Sequence, residues 1–132
     1  MGSFEPELSG VASYSKILAF IQPEKFAIYD ARVAASLNGI QLLFGVDNGS
    51  IWNNLQGRNK KIEEFKKTLA GSQALERRGW RKLDKHKCYT FYNDELKSAL
   101  SNFPDYKLFH LEMLLFATAE IIAERCWSSL GR

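Results

Sequence analysis

The sequence predicts an all-α fold: one compact domain spanning residues 1–132, built from about six helices and ending in a long buried one. Three observations lead there. Apolar residues recur at helical spacing, most clearly at Ile62, Phe65 and Leu69 and again from Leu108 to Ile122. Turn signals at Pro23, Gly39, Asp47–Ser50 and Gly71–Ser72 cut the chain into helix-sized pieces. The one strand-like run, Cys88 to Tyr92, has no second run to pair with.

Taken in order, Ala12 to Ile21 reads as a short helix with Ser9 or Ser13 as its cap, and Pro23 stops it. Phe26 to Tyr29 is an apolar approach to Asp30, which reads as the N-cap of a helix from Ala31 to Asn38 ended by Gly39. Ile40 to Phe44 fits a helical extension and an extended segment equally. After the turn at Asp47–Ser50, Ile51 to Leu55 is placed in a single helical turn carrying Trp52. Asn59 to Ala70 is an amphipathic surface helix, with Glu63 and Lys67 as a favourable i, i+4 pair. Gln73 to Arg78 is a second short helix. Gly79 to Lys87 is basic and irregular. Tyr89 to Leu100 is helical, with Leu96 and Leu100 facing inward. Asn102-Phe103-Pro104-Asp105 opens the last helix, running to about Trp127 and apolar around much of its circumference.

The bulk numbers exclude several classes. With 45% hydrophobic and 25% charged residues the chain has enough apolar side chains to fold, so disorder is not expected. A net charge of +3 permits a polyanionic partner without demanding one. Cys88 and Cys126 have no metal-ligand spacing and read as reduced thiols of a cytoplasmic protein. His86 and His110 have no paired ligand spacing, so neither metal nor cofactor is expected. The first residues lack the features of a secretory signal, and no apolar run reaches the ~18 residues of a spanning helix.

Three groups of residues carry the chemical reading. Asp30 is a capping carboxylate, held ionised by helix N–H groups and by the helix dipole, and such a group can stabilise a developing cation. Lys16 is an amine one helix upstream; as a nucleophile it would need a desolvated site. Glu112 falls inside the apolar stripe of Leu108, Leu111, Leu115, Phe116, Ala119 and Ile122, so it needs a partner. Arg32 is the expected one, in a structural ion pair. Arg58, Lys60, Lys61, Arg77, Arg78, Arg81 and Lys82 are interspersed with aromatics such as Trp80, Tyr89 and Tyr92. That pattern suits phosphates and stacked bases, and it equally suits a solvated face whose aromatics serve the core.

Leu8-Ser9-Gly10-Val11-Ala12 followed by a helix, then Ile28-Tyr29-Asp30-Ala31-Arg32-Val33, resembles the second half of the motif of helix-hairpin-helix DNA glycosylases. More narrowly, Ser13-Tyr14-Ser15-Lys16, the Asp30 segment, Arg58-Asn59 and Leu111-Glu112-Met113-Leu114-Leu115-Phe116 resemble, in order, a bacterial 8-oxoguanine-DNA-glycosylase-like family. The resemblance implies a protein that binds DNA and excises an oxidised purine. Asp30 would assist base departure and Lys16 would be the Schiff-base nucleophile. Gly10, Ala12 and Ser13 would approach a DNA phosphate, and the target base would be flipped from the stack. Ser9 and Ala12 stand where the usual hairpin has Pro and a second Gly, and aligning the hairpins places Tyr14 at the usual lysine position. The superfamily carries a helical lobe before the hairpin, whereas roughly nine residues precede it here. The resemblance therefore covers the family's C-terminal part alone, and the chain reads as a fragment, as a reduced descendant without catalysis, or as a subunit completed by a protein partner or its own homo-oligomer. The alternative reading is a non-catalytic module that binds DNA or a protein through an apolar patch around Phe4, Leu8, Ile40 to Phe44 and Trp52.

Overall fold

The computed structural model describes residues 8–130. Phe4 lies outside them. The described residues form seven helices and two very short strands: α1 (Val11–Ile21), α2 (Ala31–Leu43), β1 (Ser50–Ile51), α3 (Lys60–Thr68), α4 (Ser72–Arg77), β2 (Arg81–Lys82), α5 (Cys88–Leu100), α6 (Leu108–Ala117) and α7 (Ala119–Leu130). The all-α class holds. Thr118 alone separates α6 from α7, so taking them as one broken helix leaves six.

The chain divides into two compact units. Among the described residues, one comprises 8–29 and 84–114, the other 30–83 and 115–130. In the first, α1 begins at Gly10, not at a serine cap. Gly10 has φ 75°, a left-handed conformation that costs glycine nothing, and its carbonyl takes the N–H groups of Ser13 and Tyr14. The buried centre is aromatic. Tyr89 meets Tyr14 edge-on at 5.6 Å, and Tyr92 meets Tyr29 edge-on at 5.2 Å. Leu96 is buried and Leu100 half-buried, as their spacing predicted.

In the second unit α2 runs through Gly39 to Leu43. Gly39 does not end the helix; it lets another helix come close. A Cβ there would overlap the Ile122 side chain of α7 and crowd the Phe65 ring of α3. The small residues Ala34, Ala35 and Ser36 are buried on the same helix. The true stop is Gly45 at φ 63°. Its N–H reaches the Leu42 carbonyl at 3.2 Å, and that of Val46 reaches Gln41 at 3.1 Å, a Schellman ending. The core of this unit gathers Leu42, Ile51, Ile62, Phe65, Leu75, Trp80, Ile122 and Cys126. Helix α3 is capped by the Asn59 side chain, which accepts from Ile62 N–H at 3.0 Å. Its acid–base pair is Glu63–Lys66 at 2.7 Å, one residue closer than the expected Glu63–Lys67.

Three segments depart from expectation. Ile51 to Leu55 is no helical turn: β1 pairs in parallel with β2, Ser50 opposite Arg81 and Ile51 opposite Lys82. The last helix starts at Leu108, beyond Pro104 and Asp105, and His110 Nδ1 takes the Lys107 N–H at 2.8 Å there. Ser36 of α2 donates its hydroxyl to the Leu115 carbonyl, the acceptor that an unbroken helix would offer to Ala119 N–H. The helix is interrupted three residues further on, at Thr118. Burial of α6 and α7 follows one stripe, through Leu108, Leu115, Ala119, Ile122, Ala123 and Cys126, while Met113, Leu114 and Ile121 are exposed.

Candidate functional site

The stretch before Asp30 is extended and makes no ladder, so its buried backbone groups need other partners. In the first unit, five side chains supply them. Asn93 Oδ1 accepts the Ala27 N–H at 2.7 Å, and the Tyr89 hydroxyl donates to the Ala27 carbonyl at 2.9 Å. Glu112 Oε1 accepts the Ile28 N–H at 2.8 Å, and the Tyr92 hydroxyl donates to the Ile28 carbonyl at 2.7 Å. Ser15 Oγ accepts the Tyr29 N–H at 3.1 Å. Helices α1, α5 and α6 thus hold three consecutive residues by their main chain, immediately before Asp30. Burial pushes the Tyr89 hydroxyl up to about 12, which keeps it a donor at any ordinary pH. Burial raises Tyr14 to about 12 as well.

Glu112 has a backbone partner, a role its place in the apolar stripe left unspecified. Arg32, in the second unit, lies over the Phe116 ring at 4.9 Å from its centroid, within cation–π range. The expected ion pair would join Arg32 of the second unit to Glu112 of the first.

Asp30 is half-buried and caps α2, its Oδ1 accepting the Val33 N–H at 3.0 Å. Its Oδ2 has no partner among the described residues. Lys16 is exposed on α1, with no ion pair among the described residues. Gly10 and Ser13 are exposed and Ala12 half-buried; the Ser13 N–H is already committed to Gly10.

A second set of side chains builds the other unit. Asn38 of α2 exchanges two bonds with Trp52, accepting its N–H at 2.8 Å and donating to its carbonyl at 3.0 Å. Gln41 does the same with Ser50, at 2.9 and 2.8 Å. These two amides act as a substitute strand edge for β1. Of the basic residues, Arg58, Lys60, Lys61, Arg77, Arg78, Arg81 and Lys82 are all exposed. Lys61 pairs with Glu124, and Lys82 with Glu76 at 3.1 Å. Arg58, Arg77, Arg78 and Arg81 have no carboxylate partner among the described residues. The aromatics among the cations are core residues: Trp80, Tyr89 and Tyr92 are buried. Among the described residues the expected apolar patch is not in its predicted place: Leu8, Leu42 and Trp52 are buried, and Phe44 is exposed. The large exposed apolar side chains in the first unit include Ile17, Phe20 and Ile21 on one face of α1.

Sequence reasoning missed Ser15, Asn93, Asn38 and Gln41. The signal each carries in the sequence is the one Glu112 carries, a polar residue on an otherwise buried helix face. Cys88 and Cys126 are free and buried, and burial raises Cys126 to about 11, so it is a poor nucleophile. No helix among the described residues is long and apolar enough to cross a membrane.

Comparison with known proteins finds no matching family model, no matching curated protein and no matching solved structure.

Proposed function

We propose that the protein binds DNA and acts on a damaged base as an N-glycosylase with lyase activity, in the manner of the helix-hairpin-helix glycosylases that its motifs resemble. The observation that carries the reading is Asp30. One carboxylate oxygen is fixed by the Val33 N–H, the other has no partner among the described residues, and the chain leading to it is held by five side-chain bonds. A carboxylate so placed can stabilise positive charge on a deoxyribose as the base leaves, with no reorganisation of its own. Lys16 is the proposed nucleophile at C1′. It is exposed, so the desolvation an attacking amine needs would have to come from bound DNA. Unpaired arginines and the net charge of +3 support contact with phosphates. A DNA-binding protein of this kind would work in the cytoplasm, at the nucleoid.

The test is borohydride trapping on duplexes bearing 8-oxoguanine or an abasic site. A covalent adduct is expected with the wild type and absent from Lys16→Ala. Asn is as good a cap as Asp, so Asp30→Asn should keep its melting temperature while base release falls by about two orders of magnitude or more. No adduct and no alkali-sensitive strand break with the wild type would end the enzymatic reading. The second reading is a non-catalytic module that binds DNA or a protein. The exposed Ile17, Phe20 and Ile21 favour it, because three large apolar side chains on one helix face suit a protein partner or a second copy of the chain.

A further inference from the structure

Between the loop at 48–50 and the turn at 79–81, the second unit has an open cleft lined by Asn48, Gly49, Ser50, Gly79 and Arg81. Its floor is fixed. Arg81 N–H bonds the Gly49 carbonyl at 3.2 Å, Leu83 N–H bonds Ile51 at 3.1 Å, and the Ser50 main chain is clamped by Gln41. The buried Trp80 ring lies against Gly49, and its Nε1 donates to the Val46 carbonyl at 3.2 Å. Each lining side chain can donate a hydrogen bond. The Arg81 guanidinium, the Asn48 amide and the Ser50 hydroxyl have no partner among the described residues, and no carboxylate lines the cleft. Asp47 lines a different cleft, together with Arg78 and Trp80. From residue 77 to 87 the sequence carries six Lys or Arg residues against one acid. Lys82, next to Arg81, is neutralised by Glu76, so the unspent charge at the cleft is that of Arg81.

A fixed floor, three unpaired donors and no acid make a site for a tetrahedral oxyanion. We infer that this cleft binds a phosphate group, with Arg81 as the charged contact and Asn48 and Ser50 as hydrogen-bond donors. Resting on the DNA-binding reading, the phosphate is one of the duplex backbone; a free phosphate offers the same chemistry.

Two measurements decide between them. The first is titration with inorganic phosphate, followed by the amide resonances of Gly49 and Gly79, for the wild type, Arg81→Ala and Asn48→Ala. Saturable shifts in the wild type, lost in Arg81→Ala and weakened in Asn48→Ala, are expected. The second is duplex affinity against salt concentration. Arg81→Ala should lower the slope of log K against log salt by about 1, the signature of one lost phosphate contact. Phosphate shifts without duplex binding would keep the site, assign it to a free phosphate and defeat the DNA reading. Duplex binding with a slope unchanged by Arg81→Ala, and no saturable phosphate shift, would keep the DNA reading and overturn this site. Absence of both would overturn both. Circular dichroism of each variant separates lost binding from lost folding.

Discussion

Tyr89 illustrates how much one side chain carries. Its ring is edge-on to Tyr14 and parallel to Phe26, and its hydroxyl donates to the buried Ala27 carbonyl. Tyr89→Phe keeps the ring and leaves that carbonyl short of a donor, at a cost of about 1–3 kcal/mol. The same hydroxyl gives a pH dependence of definite sign. Its folded value of about 12 lies above the ordinary 10.0, so the folded chain holds the proton where the unfolded chain releases it. The stability this contributes is complete below about pH 10 and is lost as pH rises from there towards 12. Tyr14 shifts the same way and adds to the loss. Thermal melts between pH 8 and 11.5 should therefore stay level and then fall, with a shallower fall in Tyr89→Phe. An equal fall in that variant would place the titrating group elsewhere.

At the scale of elements, what was legible in the sequence is what local chemistry dictates. Asp30 as a cap, the amphipathic face of α3 and the helical reading of α5 all follow from neighbours within one or two turns. What was hidden depends on residues far apart in the chain. Gly39 looks like a stop until Ile122 is known to press against it, and Thr118 gives no warning of the break that accompanies the bond from Ser36 to Leu115. In the same way β1 could not be foreseen, because half of its pairing comes from side chains of α2. Asn38 is fully buried and Gln41 only partly. Asn38→Ala removes two hydrogen bonds to the main chain of Trp52 at a buried position, and should cost about 3 kcal/mol. Gln41→Ala makes the same change to Ser50 at a wetter position and should cost about 1 kcal/mol. Urea denaturation of the two variants checks the ranking; equal costs would mean that burial does not set the value of these amides.

For the whole molecule, neither unit is a continuous piece of chain. The second is assembled from residues 30–83 and 115–130, and its core draws Ile51, Phe65, Leu75 and Trp80 from the first piece and Ala119, Ile122, Ala123 and Cys126 from the second. Without α7, α2 would expose Ala35 and Gly39, and Phe65 would lose a neighbour. A segment of residues 30–83 alone would bury too little apolar surface to offset the entropy of ordering it. It should therefore show little helix by circular dichroism and no cooperative melt. Addition of a peptide covering residues 115–130 should raise the helical signal above the sum of the separate pieces, and the gain should be smaller with Ile122→Ala in the peptide. Ile122 reaches Gly39, so its truncation opens a cavity where the helices come closest. A cooperative melt of residues 30–83 alone would mean that α7 is an addition to a core already complete, and that the close approach at Gly39 follows from folding and does not drive it.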